Sequence, residues 1–117
     1  AARGECSLPQ WVGLKFFNVY GPNEYHKDDQ RSVIAKIAPQ ALQGAAVRLF
    51  RSYDRRYADG EQKRDMLYVK DCVRVLLWCF EHPEISGLFN LGTGKAVSFN
   101  DMAKAIFSAI GRAPNIH

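Results

Sequence analysis

Hydrophobic and polar positions follow two periods that take turns along the chain. Trp11-Val12-Gly13-Leu14-Lys15-Phe16-Phe17 is rich in aromatic and branched residues, which predicts a largely buried strand broken by Gly21 and Pro22. Ile34, Ile37, Ala38, Ala41 and Leu42 then recur at helical spacing. They predict a helix opened by Ser32, kinked or restarted at Pro39 and stopped at Gln43-Gly44. Val47-Arg48-Leu49-Phe50 alternates like a short strand, and the polar run from Arg51 to Lys63 reads as a surface loop or loose hairpin turning at Asp59-Gly60. Met66 to Val69 is a second short strand. Val73, Leu76, Leu77 and Phe80 give another apolar helical stripe, opened by Asp71 and ended near His82-Pro83. Gly87 to Leu91 is a strand closed by Gly92-Thr93-Gly94. Ser98-Phe99-Asn100-Asp101 has the form of a capping box ahead of a helix whose buried face is Phe99, Met102, Ala103, Ile106 and Ile110, with Gly111 at its end. Strands alternating with helices at these intervals make the fold class α/β.

A chain of 117 residues holds one domain with a modest core. The net charge of +4 is concentrated: between residues 48 and 70 seven basic side chains meet four acidic ones. Because Asp54, Asp59, Glu61 and Asp65 interrupt that segment, it suits a compact anionic ligand better than nucleic acid, and no nucleic-acid partner is expected. No run approaches the roughly 20 apolar residues of a membrane span, and no signal peptide opens the chain, so a cytoplasmic setting without membrane contact is expected. Cys6, Cys72 and Cys79 lack Cys-x-x-Cys spacing and read as buried thiols. His26, His82 and His117 are scattered, so no metal is expected. The Gly92-Thr93-Gly94 turn is read as a tight connection in preference to a phosphate cradle, and Trp78 as a core or subunit contact.

The stretch Asn18-Val19-Tyr20-Gly21-Pro22, placed after a strand, resembles the extended short-chain dehydrogenase/reductase family of nucleotide-sugar epimerases and dehydratases. Lys63-Arg64-Asp65-Met66-Leu67-Tyr68-Val69 and Leu88-Phe89-Asn90-Leu91-Gly92-Thr93-Gly94 agree with it. The continuation Asn23-Glu24-Tyr25-His26-Lys27 is similar to the branch of that family that acts on ADP-heptose. The resemblance runs over nearly the whole chain. It implies the C-terminal part of a Rossmann-like fold, with residues 1–117 forming the end of an NADP-binding domain interleaved with much of the substrate-binding lobe. The N-terminal cofactor half would then be absent: no Gly-x-Gly-x-x-Gly fingerprint and no Tyr-x-x-x-Lys pair occurs, and Ala1 to Glu5 would end the tyrosine-bearing helix.

The same resemblance implies an isomerase that inverts C6 of the heptose in ADP-glycero-manno-heptose, a lipopolysaccharide core precursor, by NADP-mediated oxidation and re-reduction. The fragment would not be competent alone, and the full-length form would be a homo-oligomer. It further implies Lys27 as a catalytic proton carrier, and Val19 and Lys27 as cofactor contacts. Asn18, Asp29, Lys36, Phe50, Arg51, Ser52, Tyr53 and Arg64 would contact substrate. Read from their own chemistry, Asn18 can donate and accept toward a sugar hydroxyl, and the planar Arg64 guanidinium matches paired phosphate oxygens; the other reading of Arg64 is an ion pair with Asp65 or Glu61. Asp28 and Asp29 depart from the branch, which usually carries glycine and a small residue there, and their carboxylates favour a charged Lys27. Two alternatives stay open: another nucleotide-sugar epimerase or dehydratase, or a non-catalytic remnant that binds a nucleotide sugar.

Overall fold

The computed structural model describes residues 8–117; Cys6 and the residues expected to end a tyrosine-bearing helix lie outside them. Strand β1 (Val12–Phe16) pairs in parallel with β4 (Gly87–Leu91), Val12 opposite Gly87 and Phe16 opposite Leu91. The Phe17 amide still donates to the Leu91 carbonyl at 3.0 Å. One residue later the chain changes sheets. Strand β2 (Asn18–Tyr20) runs parallel to β3 (Lys63–Tyr68), with Asn18 opposite Met66, and β3 is flanked on its other edge by antiparallel β5 (Ala96–Ser98). Asn18 is therefore the first residue beyond the crossing, at a break between sheets where α/β proteins gather ligands.

Helix α1 (Val33–Leu42) is capped as expected: the Ser32 hydroxyl accepts from the Ala35 amide at 3.1 Å. It runs through Pro39 without restarting. Ile37 and Ala41, on either side of the proline, are fully buried against Ala103 and Phe107 of α3 (Phe99–Ala109), and this packing outweighs the one backbone bond that proline forfeits. Arg112 closes the far end of α1 by donating to the Ala41 and Leu42 carbonyls at 3.0 and 2.8 Å. Ser98 caps α3 by accepting the Asp101 amide at 3.1 Å, and Gly111 follows with φ +69°.

Val47 completes the α1/α3 core. The strand expected over Val47 to Phe50 is reduced to one parallel bridge with Ile116, because its only partner among the described residues is the short run Asn115 to His117. Residues 51 to 62 form the expected irregular loop, called the strap below.

Helix α2 (Val69–Glu81) follows β3 directly and ends at His82. Its Cys72 is a buried free thiol, raised by that burial, and Cys79 is a half-buried free thiol. Trp78 is not core: it is half-exposed and stacks on His82 at 4.1 Å. The β1/β4 pair is also less buried than the aromatic pattern of β1 predicts. Phe16 and Phe17 are exposed, as are Leu88 (75%) and Phe80 of α2 (82%), because among the described residues β1 has a partner on one edge only. None of the described helices is long and apolar enough to cross a membrane.

Candidate active site

At the end of β2, Gly21 turns the chain in a conformation with φ +148°, where a Cβ would run into Val69 at the start of α2. Glu24, 8% exposed, fastens this turn to α1. Its carboxylate accepts from the Gly21 amide at 3.0 Å and from the Ser32 amide and hydroxyl at 2.8 and 2.9 Å. Burial pushes the Glu24 carboxyl up, but the bonds from Ser32 and Gly21, with the nearby Lys27 charge, outweigh it and hold the group below its ordinary value. The segment Tyr25–Gln30, two turns of 3₁₀ helix, is thus anchored at both ends. Lys27 lies in its middle.

Directly after Lys27, Asp28 adopts φ +47° and ψ −119°, a region that favours glycine, and its carbonyl accepts the Arg31 Nε at 2.8 Å. Asp28 therefore sits in a glycine-type conformation. We expect Asp28→Gly to stabilise the full-length protein by about 1 kcal/mol, strain relief exceeding the extra chain entropy. Denaturant melts should show a raised midpoint, and an unchanged or lowered one would contradict this account of Asp28.

Two adjoining pockets receive most of the residues expected to act. The first, about 290 Å³, is lined by Asn18, Val19, Lys27, Arg64, Met66 and Phe99, among others. The second, about 310 Å³, is lined by Phe50, Arg51, Ser52, Tyr53, Gln62, Arg64 and Phe99, among others. Arg64 and Phe99 belong to both, and the guanidinium lies 5.8 Å from the Phe99 ring centroid. Asp29 and Lys36 line neither pocket: Lys36 Nζ donates to the Asp29 carbonyl at 2.6 Å and stands 5.7 Å from the Phe50 ring centroid. Tyr53 is fully exposed. The Ser52 hydroxyl is already engaged within the strap, donating to the Asp54 carbonyl at 3.0 Å, so it offers a ligand less than its residue type suggested.

The ion-pair reading of Arg64 does not hold among the described residues. Asp65 accepts from the Thr93 amide and hydroxyl at 2.9 and 2.7 Å and from the Gly94 amide at 2.8 Å, while Glu61 accepts from Asn100 Nδ2. Arg64 instead donates to the Lys63 carbonyl at 2.7 Å. The same bonds explain the Gly92-Thr93-Gly94 turn: its amides face a carboxylate of the chain itself, as the tight-connection reading expects. The Thr93 backbone bond chiefly, then the Thr93 hydroxyl and Gly94 bonds, hold the Asp65 carboxyl low.

Glu24 and Asp65 both titrate lower when folded, so their contributions are present above the ordinary values of 4.5 and 3.8. Those contributions disappear as pH falls through the lower folded values. The thermal midpoint of the full-length protein is expected to fall below about pH 4, and to fall less steeply in Glu24→Gln/Asp65→Asn. An equal acid slope in the double variant would contradict these assignments.

Glu24, Gln62 and Phe99 were not foreseen as site residues. The helical spacing marks Phe99 only as part of a buried face. Nothing in the spacing of Glu24 marks its partner Ser32, and Gln62 sits in a polar run that resembles open loop.

Residues 6–92 match the model of a family described as the NAD dependent epimerase/dehydratase family. The ADP-L-glycero-D-manno-heptose-6-epimerase of Nitratidesulfovibrio vulgaris (strain DP4) is 57% identical over 112 residues, 96% of this chain and 35% of that protein. Among solved structures, the Helicobacter pylori ADP-L-glycero-D-manno-heptose-6-epimerase superposes with a TM-score of 0.73 at 29% identity, over 92% of this chain and 32% of that one. MoeE5 in complex with UDP-glucose and NAD superposes with a TM-score of 0.72 at 30% identity, over 98% and 35%. The chain spans about a third of the length of these relatives.

Proposed function

The chain belongs to the NAD-dependent epimerase/dehydratase family, and on that premise we propose that it is the C-terminal portion of an NADP-dependent ADP-heptose 6-epimerase that supplies lipopolysaccharide core synthesis. In this reading β1, β4 and α2 close the cofactor domain, whereas β2, β3, β5, α1 and α3 build the substrate lobe. The full-length protein is a homo-oligomer.

The observation that carries the reading is the meeting of Asn18, Val19, Lys27 and Arg64 in one pocket that continues past Arg64 and Phe99 into the strap. Val19 and Lys27 line the same pocket, and an apolar side chain beside a hydrogen-bond donor fits a flat ring and its ribose hydroxyls, so these two would form one wall for the nicotinamide end of a dinucleotide. When bound, the dinucleotide would supply reversible hydride transfer at C6 of the heptose.

The chain's own residues bind, orient and move a proton. Arg64 and Arg51 neutralise the diphosphate, with the ring of Phe50 beside the adenosine. Asn18, Asp29 and Lys36 orient the sugar. Lys27 exchanges the proton of the C6 hydroxyl in one configuration. In the other configuration that hydroxyl points away from Lys27, and the family's tyrosine serves it.

A panel of nucleotide sugars offered to the full-length protein tests substrate choice. Interconversion of the two ADP-heptose epimers is expected. Turnover of UDP-galactose without ADP-heptose would reject this substrate in favour of another member of the family.

A further inference from the structure

Gln62 ties together three parts of the nucleotide pocket. It is nine-tenths buried, and its Nε2 donates to two successive carbonyls where the strap begins, Phe50 at 3.2 Å and Arg51 at 3.4 Å. Its own carbonyl accepts the Phe99 amide at 3.2 Å. Two residues further along is Arg64, in β3. The other polar atom of its side chain, Oε1, is enclosed and has no hydrogen-bond partner among the described residues. An enclosed amide oxygen without a donor is a cost that an apolar side chain would avoid, so the contribution of this residue lies in its donor half.

We propose that Gln62 is a positioning residue that fixes the strap against β3 and thereby sets the opening between Arg51 and Arg64 for a nucleoside diphosphate. It acts without touching the ligand. Arg51 and Arg64 both line the pocket, and two cations grip one diphosphate only when both are held in place. Gln62→Glu keeps the volume but turns a carboxylate oxygen toward two carbonyl oxygens, which releases the strap. This inference rests on the nucleotide-sugar reading above.

The test is titration calorimetry on the full-length protein with ADP and, separately, with NADP⁺, together with steady-state kinetics on ADP-heptose. Wild-type protein that neither binds ADP nor converts ADP-heptose rejects the functional reading, whatever Gln62 does. Given wild-type binding, Q62E is expected to weaken ADP by about tenfold or more, to leave NADP⁺ affinity within about twofold, and to raise KM more than it lowers kcat. ADP affinity within about twofold of wild type overturns the proposal, as does a parallel loss of both ligands. Should Q62E not fold, Q62M, which removes the donor and the orphaned acceptor together, is judged by the same thresholds. Failure of both to fold makes Gln62 a fold determinant and likewise overturns the positioning role.

Discussion

Lys27→Met in the full-length protein is expected to slow ADP-heptose epimerisation by about 10²–10⁴-fold, the range over which a positioned proton carrier acts. Methionine keeps the length and apolar stem of the side chain and removes the titrating amine. The residue is held by structure rather than by chance, since Glu24 ties the turn before it to the cap of α1 and Arg31 clamps the backbone just after it. ADP affinity should change little, because Arg64 and the strap are untouched. Lys27→Arg should restore almost nothing: guanidinium does not deprotonate at working pH. Following the two epimers by NMR measures both variants. An unchanged rate would remove Lys27 from the chemistry, and no turnover in either protein would favour a non-catalytic remnant.

Arg64→Ala is expected to weaken ADP binding by about 30–100-fold while sparing NADP⁺. Removing a charged partner from two phosphate contacts costs on the order of 2–3 kcal/mol. No described carboxylate competes for this guanidinium, since Asp65 serves the Thr93 turn and Glu61 serves Asn100. Its place in both pockets means that its loss also loosens the register of the sugar beside Lys27. Arg64→Lys should recover only part of the affinity, because an ammonium lacks the planar fork. Calorimetric titration with ADP separates the three proteins. Equal affinities in all three would place the diphosphate elsewhere.

Periodicity and punctuation made most of the secondary structure legible. The stripes around Ile37, Leu76 and Met102 are helices, Ser32 and Ser98 are caps, and Gly87 to Leu91 is a strand. What was misjudged depends on partners distant in sequence. Pro39 does not break α1 because its helical neighbours pack on α3, some 65 residues away. The three-residue β5 is too short to show a period and exists by pairing with β3. Val47 forms only a bridge because its partner is a few residues long.

The candidate site divides in the same way. Asn18 and Arg64 suit a sugar hydroxyl and paired phosphate oxygens by residue type, whereas Val19 and Lys27 rest on the family resemblance; one pocket holds all four. Glu24, Gln62 and Phe99 escaped notice because their roles are contacts: a carboxylate spanning eight residues, an amide reaching back across the strap, and a ring beneath a guanidinium.

The most direct measurement of the central claim is the position of Lys27 Nζ in a crystal structure of the full-length protein with NADP⁺ and an ADP-heptose bound. The account predicts the amine within hydrogen-bond reach of the C6 hydroxyl, about 3 Å, on the side opposite the family's tyrosine. An amine turned into bulk solvent, away from both nicotinamide and sugar, would contradict it.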